Sequence, residues 1–358
     1  MGAPLAVSIQ FLKAHHGDCI LVTIEDSQKV ERILIDGGPS YTFKTRTLGD
    51  PRDGDLKNVL DKLRDQDMKI DLVILTHVDD DHIGGLISAF EDPDYLSQIA
   101  LKVIFNSGQL IHEYFKVPAD PTKDIEGNFA GNPETSIRQG DTLEKHLVAH
   151  KLWDRKVILQ ETEYPLLTGK LQFLSPNEEK LNKLLIKWEE ETETPFTAGH
   201  TNDWHQTYVQ LLENDKFEED QSVPNGSSVG FILLVNELKF IFLGDAHPST
   251  ILLGLKYFGY DAENPLNADM VKVSHHGSKK NTSIDLLDVL KSESYVISTD
   301  GSRHGLPNKV TLARIHSHST SSKIYFNYDE LISDIYNKEE LVELAERVLF
   351  IHEELVFD

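Results

Sequence analysis

The chain has 358 residues, which is long enough for one large domain or two ordinary ones with a sizeable buried core. Its 35 basic and 59 acidic residues give a formal net charge of −24, which argues against a protein that wraps nucleic acid or coats an anionic membrane over its whole surface. The single cysteine, Cys19, excludes an intrachain disulfide and a thiolate cluster, so any metal must be held by His, Asp or Glu.

The apolar stretches of the chain are strand-sized, far shorter than the ~20 residues that span a bilayer. The N-terminus lacks the basic-then-apolar pattern of a signal peptide. We therefore expect a protein without membrane association that is located in the cytoplasm.

Apolar periodicity predicts strands and helices that alternate along the chain. Apolar and β-branched runs predict strands at 5–12, 18–24, 31–36, 70–76, 101–106, 229–235, 239–243, 269–274 and 294–299. Helical spacing of apolar residues predicts helices at 55–65, 82–90, 177–190, 249–258, 283–291 and 338–350. Residues 106–225 are predicted to be irregular and polar. This mixture of elements predicts a layered α/β protein.

The two halves of the chain repeat one arrangement of acidic residues and histidines at strand ends. In the first half, a strand pair ends in Asp36 and a later strand runs into His77. In the second half, a strand pair ends in Asp245 and a later strand runs into His275. A duplicated unit fixes architecture, and two equivalent sheets that face each other would bring these strand ends to one edge. The repeat predicts a metal site at that edge.

The densest group of polar side chains lies between Thr76 and Gly85, after a predicted strand and before a predicted helix. In such a turn, His77 and Asp79 can point one way. Asp81 and His82 then begin the helix, which gives two adjacent sets of nitrogen and oxygen ligands. The alternative is a solvated acidic turn in which Asp81 caps the helix.

A second group, Ser274 to Ser278, again follows a predicted strand and contains His275 and His276. An isolated histidine pair is often structural, but its place in the repeat favours a site. Asp245 ends a hydrophobic strand, where a carboxylate is costly without a partner. A metal-bridging role accounts for that carboxylate.

Six ordered segments resemble the metallo-β-lactamase fold superfamily, specifically the hydrolase domain of bacterial competence (DNA-uptake) membrane proteins. The segments are Gly17 to Leu21, Ile33 to Gly38, Thr76 to Gly85, Leu243 to Asp245, Val273 to Ser278, and Ile297 to Gly301 leading to His304. The resemblance implies a four-layer αββα sandwich of two pseudo-repeated halves with insertions. We expect a hydrolase domain at 1–327, with an insertion at approximately 106–225, and an acidic, helical C-terminal extension at 328–358.

The resemblance also implies two divalent metals at this edge. We favour His275 over His276 as a ligand because the repeat aligns His275 with His77; His276 would then orient substrate or donate a proton. The implied ligands are His77 and Asp79 for one metal, and Asp81, His82 and His275 for the other, with Asp245 bridging.

Two departures from the superfamily pattern predict weaker binding of the metal that His77 and Asp79 would hold. Asp79 replaces the middle histidine of the usual His-x-His-x-Asp-His motif, a change that the competence-type branch shares. The third motif, Gly-His-Thr, is replaced by Asn225 to Ser228, and Gly199-His200-Thr201 lies much too far before Asp245 to match its place. We therefore expect one metal site to be weak or empty, with Zn²⁺ favoured and Mn²⁺ as a competitor.

The expected reaction is hydrolysis by a metal-bound hydroxide. Asp81 would hold a metal and orient the nucleophile, and the leaving group would be protonated by His276, His304 or metal-bound water, a choice that the sequence leaves open. Asp36 is expected to orient ligands through hydrogen bonds. Lys279 and Asn225 are expected to contact substrate or to support the ligands.

Charge patterning favours an anionic substrate. Residues 178–220 hold 12 acidic and 4 basic residues and 328–358 hold 10 and 2, whereas 269–310 hold 5 and 6. Cations near the predicted site in sequence could hold a phosphate. They are Lys272, Lys279, Lys280, Arg303 and Lys309.

These features favour a phosphodiesterase for nucleotide or nucleic-acid-type substrates. The net charge favours a small or single-stranded substrate over a long duplex. One alternative is a hydrolase of carboxylic esters, lactones or amides, and a second is a non-catalytic metal-binding regulatory module. The acidic insertion and the C-terminal segment would form either a homo-oligomer interface or a pocket lid.

Overall fold

The structure is a computed structural model and describes residues 5–45, 52–117, 136–190 and 202–358. The strands are β1 (Ala6–Phe11), β2 (Ile20–Glu25), β3 (Val30–Ile35), β4 (Leu72–Ile74), β5 (Val103–Ile104), β6 (Glu163–Pro165), β7 (Lys170–Ser175), β8 (Gly230–Val235), β9 (Leu238–Phe242), β10 (Leu266–Ala268), β11 (Met270–Lys272), β12 (Leu290–Ser292), β13 (Ser294–Ile297), β14 (Lys323–Phe326), β15 (Val348–Phe350) and β16 (Leu355–Phe357). The α-helices are α1 (Asp55–Asp65), α2 (Asp80–Glu91), α3 (Leu96–Ile99), α4 (Gly108–Phe115), α5 (Ser136–His150), α6 (Glu178–Glu190), α7 (Tyr208–Glu213), α8 (Val223–Gly226), α9 (Pro248–Tyr257), α10 (Ile284–Val289), α11 (Lys309–His318), α12 (Glu330–Ile335) and α13 (Lys338–Glu343).

Two mixed sheets contain most of these strands. The first has the order β16-β1-β2-β3-β4-β5 and is antiparallel from β16 to β3 and parallel from β3 to β5. The second has the order β15-β14-β13-β11-β9-β8-β7-β6 and is parallel from β15 to β9 and antiparallel from β9 to β6. Each sheet contains a hairpin followed by a parallel strand, β2-β3-β4 and β8-β9-β11. This is the repeat that the sequence predicts.

Alternating side chains along the strands build four layers. Ile33 and Ile35 of β3 pack in one apolar cluster with Phe231 and Phe240 of the second sheet, which places this cluster between the sheets. Leu34, between them in sequence, belongs to the cluster that contains residues of α1 and α2. A third cluster joins the other face of the second sheet to α9, α10 and α11. Successive residues of a strand point to opposite faces of its sheet, and here both sets lie in apolar clusters. Both faces of each sheet are therefore buried, and the αββα architecture is confirmed.

The C-terminal segment differs from its predicted helical extension. Helix α13 ends at Glu343, and residues 348–350 and 355–357 are strands. Strand β15 pairs with β14 in the second sheet, whereas β16 pairs with β1 in the first, where Val7 lies opposite Phe357. The short apolar runs fit a helix face and a strand equally well, and pairing with the sheets decides between them.

The segment 106–225 is more regular than the sequence predicts. Its described parts contain helices α4 to α8 and strands β6 and β7. Strand β7 pairs with β8, and Leu171 and Phe173 lie in the core between the sheets, so the second sheet begins inside this segment. The alternation of buried residues in Lys170–Ser175 is the overlooked strand signal. Across the described ranges, no helix combines the length and apolarity needed to cross a bilayer.

Candidate metal centre

Four strand ends bring the predicted site residues to one edge of the sandwich. Strands β3 and β4 are parallel neighbours in the first sheet, and β9 and β11 are parallel neighbours in the second. Asp36 and His77 follow the first pair, and Asp245 and His275 follow the second. His77 Nε2 lies 3.7 Å from Asp245 Oδ2 across the two sheets. The edge that the repeat predicts is therefore where these residues meet.

Asp245 lies at the centre of this cluster, with its side chain 3% exposed. The Nε2 atoms of His77 and His275 are each 3.7 Å from its Oδ2, and those of His82 and His276 are 3.5 and 3.9 Å from its Oδ1. These distances exceed those of hydrogen bonds but are near the about 3.4 Å that separates two ligands of one tetrahedral zinc ion. Asp245 thus separates two groups of donor atoms, one at each carboxylate oxygen.

The first donor group contains His77, Asp79, His275 and Asp245 Oδ2. Asp79 Oδ2 lies 3.8 Å from His77 Nε2. The second donor group contains Asp81, His82, His276 and Asp245 Oδ1.

Within the second donor group, Asp81 Oδ2 lies 3.6 Å from His276 Nε2. Asp18 adjoins this group, because one ligand atom each of Asp18, His82, Asp245 and His276 lie within 4.8 Å of one another. The two donor groups therefore share only the carboxylate of Asp245.

In the first sheet, Asp36 fixes the tautomers of both histidines. His82 Nδ1 lies 2.8 Å from Asp36 Oδ2, so it donates to the carboxylate. The Thr76 hydroxyl donates to Asp36 Oδ2 at 2.8 Å and therefore accepts from His77 Nδ1 at 3.0 Å. With both Nδ1 atoms protonated, each Nε2 presents a lone pair to Asp245. Asp36 thus orients His82 directly and His77 through Thr76, from the Nδ1 side of each ring.

In the second sheet, a backbone carbonyl and a side-chain amide oxygen fix the tautomers of His276 and His275. His276 Nδ1 donates to the Ser298 carbonyl at 2.9 Å, and His275 Nδ1 donates to Asn281 Oδ1 at 3.0 Å. The Asn281 amide is oriented by its Nδ2, which donates to the Asp245 carbonyl at 3.1 Å. All four histidines thus direct Nε2 towards the two donor groups.

The donor set fits divalent cations. Among the buried polar atoms of the described residues, those without a hydrogen-bond partner include Nε2 of His77, His82 and His276 and Oδ1 of Asp245. Leaving one such atom unsatisfied costs about 1–3 kcal/mol, and here four of them belong to the two donor groups around Asp245. Imidazole nitrogens combined with carboxylates suit Zn²⁺, and the two carboxylate oxygens in each donor group also suit Mn²⁺.

Burial and neighbouring charges shift the pKa values of these groups in opposite directions. Burial, followed by the charge of His82, lowers the pKa of His77 to about 4. Burial would lower the pKa of His276, but Asp18 and Asp245 outweigh it and raise that pKa to about 9. Burial opposes ionisation of Asp245, yet His275 and His82 hold its pKa well below the usual range. The central carboxylate is therefore ionised and ready to bind cations.

The structure groups the histidine pair differently from the sequence prediction. His276, rather than His275, lies beside Asp81, and His275 faces Asp245 Oδ2 in the first donor group. Both residues adopt left-handed backbone conformations, with φ of 48° and 52°, so that the chain turns sharply and both side chains enter the site. The repeat aligns only the strand ends and does not contain this turn.

Two of the predicted phosphate-binding cations are buried in ion pairs. Lys272 is 1% exposed and pairs with Asp18, and Lys309 is 1% exposed and pairs with Glu340 at 2.6 Å. Both lysines neutralise carboxylates of the protein itself. The prediction that they contact substrate is therefore wrong.

The remaining predicted residues lie outside the two donor groups. Lys279 and His304 have exposed side chains, and His304 adopts a left-handed backbone conformation with φ of 57°. Asn225 lies behind His275, where its Nδ2 donates to Asp220 Oδ2 at 2.7 Å. Gly199-His200-Thr201 falls outside the described residues.

Sequence reasoning missed Asp18, Asp220, Asn281 and Ser298. Asp18 lies in the first of the six segments that carry the family resemblance, which is the one signal that could have identified it. A Cβ on Gly17 would lie 2.0 Å from the Asp81 carbonyl, so glycine is needed where this loop crosses α2. Asp220 and Asn281 carry no spacing signal, because only the tertiary fold brings them to His275.

Comparisons with known proteins agree with this architecture. Residues 13–127 match the model of a family described as the metallo-beta-lactamase superfamily. This region includes Asp36, His77 and His82 and ends before Asp245. No curated protein matches the chain.

Solved structures resemble the chain at low sequence identity. The β-hydroxylase CmlA has a TM-score of 0.41 and 10% identity over 99% of this chain, which spans only 54% of the length of CmlA. The metallo-beta-lactamase fold protein YhfI from Bacillus subtilis has a TM-score of 0.40 and 9% identity, with 98% of this chain and 99% of YhfI covered. An isothiocyanate hydrolase from Delia radicum gut bacteria has a TM-score of 0.39 and 11% identity, with 99% and 98% covered.

The four-layer fold, the repeated strand ends and the family match lead to one conclusion. Over residues 13–127 this chain is similar to the metallo-β-lactamase superfamily.

Proposed function

We propose that this chain is a metal-dependent hydrolase that cleaves phosphodiesters of nucleotide or nucleic-acid type. The observation that carries the proposal is the pair of donor groups that share Asp245, in which Nε2 of His77, His82 and His276 and Oδ1 of Asp245 are buried without a hydrogen-bond partner. Two divalent cations bound there would polarise the electrophile and lower the pKa of water.

The protein groups around these atoms have separable tasks. Asp36 holds His82 and His77 so that the donor atoms need little reorganisation on binding. The Asp81 side chain is 22% exposed and faces both the second donor group and solvent, so its carboxylate is suited to orient an attacking water. His276 directs Nε2 into the donor group, and we therefore assign it as a ligand rather than a proton donor. His304, on the exposed loop beyond β13, is our choice to protonate the leaving group.

An exposed arginine supports an anionic substrate. Burial lowers the pKa of His16 to about 4, Asp81 raises it, and Arg303 lowers it further, so Arg303 and Asp81 both lie within electrostatic range of one side chain. With Lys272 and Lys309 buried, Arg303, Lys279 and Lys280 are the cations left to hold a phosphate. The resemblance to competence-type hydrolases that we infer from the sequence motifs favours the same substrate class, and the net charge of −24 favours small or single-stranded substrates.

The test compares substrate classes on zinc- and manganese-loaded protein. We expect turnover of bis(p-nitrophenyl) phosphate and of a short single-stranded oligonucleotide, and little turnover of p-nitrophenyl acetate or a lactone. Asp81→Ala should abolish phosphodiester turnover. Arg303→Gln should raise KM for the phosphodiester and reduce its salt dependence, whereas Arg64→Gln, on the distant helix α1, should do neither. Turnover of neutral esters without phosphodiesters would overturn the substrate class, and absence of bound metal would overturn the hydrolase proposal itself.

A further inference from the structure

The carboxylate of Asp220 lies behind the metal centre, on a segment outside the sequence repeat. Its side chain is 11% exposed, and its backbone N–H donates to the Lys280 carbonyl at 3.2 Å. Its Oδ1 accepts from the Ser222 N–H at 3.0 Å. These bonds fix the carboxylate on the Nδ1 side of His275, away from the Nε2 atom that faces Asp245.

The second oxygen of Asp220 organises the groups that touch His275. Asp220 Oδ2 accepts from Asn225 Nδ2 at 2.7 Å and from Asn281 Nδ2 at 3.3 Å, and it lies 3.5 Å from His275 Nδ1. Because Asn281 directs its Nδ2 towards Asp220, its Oδ1 is left to accept from His275 Nδ1. Asp220 therefore acts on His275 directly through its charge and indirectly through the Asn281 amide.

The repeat explains why this histidine needs a carboxylate from elsewhere. Asp36 and Asp245 occupy equivalent strand ends, and Asp36 holds His82 at 2.8 Å from behind. Asp245 is instead turned towards the donor atoms and shared by both donor groups. The second half of the repeat thus has no strand-end carboxylate left to orient its own histidine, and Asp220 occupies that place.

We propose that Asp220 is a positioning residue that holds His275 in the first donor group. The inference rests on the proposed metal-dependent function. In this arrangement His275 supplies the histidine that the sequence lacks at Asn225 to Ser228, and the end of the 106–225 segment completes the metal centre. Orienting carboxylates of this kind typically contribute 10–100-fold to metal affinity.

The experiment is a titration of the metal-free protein with Zn²⁺ and with Co²⁺, whose visible absorption reports ligand geometry. We expect Asp220→Asn to weaken one of two metal equivalents by about 10–100-fold and to change the Co²⁺ spectrum, with the other equivalent retained. Asp36→Asn removes the support of His82 directly and of His77 through Thr76, so it should weaken both equivalents. Glu218→Gln removes the same charge from an exposed position of the same segment and should match the wild type.

The outcomes separate this inference from the proposed function. Wild-type protein that binds neither cation would refute the metal-dependent function. Wild-type protein that binds two equivalents, with Asp220→Asn binding both within twofold, would refute only the role of Asp220. A second measurement uses wild-type protein and so does not depend on the folding of a variant. Long-range ¹H–¹⁵N spectra of the zinc-loaded form should show His275 protonated at Nδ1, and protonation at Nε2 would overturn the inference.

Discussion

A buried ion pair between Asp18 and Lys272 joins the two sheets, and its removal should destabilise the fold strongly. Asp18 precedes β2 in the first sheet and Lys272 ends β11 in the second, with side chains 2% and 1% exposed. Burial opposes ionisation of Asp18, but Lys272 and His276 outweigh it and hold its pKa below the usual range. Removing the lysine therefore leaves a buried carboxylate without its main partner, which must either remain charged or take up a proton.

We predict that Lys272→Met lowers the free energy of unfolding by about 3–5 kcal/mol, as is typical when one partner of a buried pair is lost. This is a large share of the about 5–15 kcal/mol that stabilises an ordinary domain. Asp18→Asn should also destabilise. The double variant should lose less than the sum of the two single variants, with a coupling free energy of about 1–3 kcal/mol.

The assay is urea unfolding followed by circular dichroism, with a chelator present so that metal binding does not add to stability. Lys291→Met, at an exposed position of β12, is the matched control and should change stability little. A cost below about 1 kcal/mol for Lys272→Met, or strict additivity in the double variant, would refute the assignment of a coupled buried pair.

Three further predictions concern other parts of the structure. Burial, with a contribution from Arg347, lowers the pKa of His316 to about 3, so the native state stays neutral while the unfolded chain takes up a proton below pH ~6.5. The contribution of His316 to stability should therefore fall by about 2 kcal/mol between pH 7 and pH 5, and urea unfolding should show this difference between the pH dependences of the wild type and His316→Phe. Gly85→Ala should cost about 1–3 kcal/mol in the same assay, because its Cβ would lie 2.0 Å from the Gly37 carbonyl oxygen; an unchanged midpoint would contradict this. Zinc at 100 times its Kd should stabilise the chelator-treated protein by about 2.7 kcal/mol, and a thermal midpoint insensitive to zinc would contradict a metal centre.

The sequence predicts the strand ends of the site well, because these positions follow directly from chain order. A parallel strand that continues into a turn must place its next residues at the sheet edge. For this reason Asp36, His77 and Asp245 meet as the repeat predicts. Strand alternation is equally direct, and it fixes which face of each sheet packs against helices.

Features that depend on local backbone turns or on contacts between distant segments cannot be predicted from chain order. The left-handed turn at His275 and His276 sends the two rings to opposite oxygens of Asp245, and no spacing rule contains that turn. Lys272 looks like a phosphate ligand in sequence because it lies close to the histidines. In a strand, however, its side chain points to a fixed face, and there it meets Asp18.

Charge at the site explains why the carboxylates can be packed so densely. The carboxylates of the two donor groups and their supports are Asp18, Asp36, Asp79, Asp81, Asp220 and Asp245. Lys272 offsets one of them, and two divalent cations would offset four more, which leaves the centre close to neutral. Such a centre would accept a phosphodiester that the unneutralised carboxylates would repel. The substrate proposal and the metal proposal are therefore coupled, since phosphate binding requires both cations, and binding that persists in the presence of a chelator would break that link.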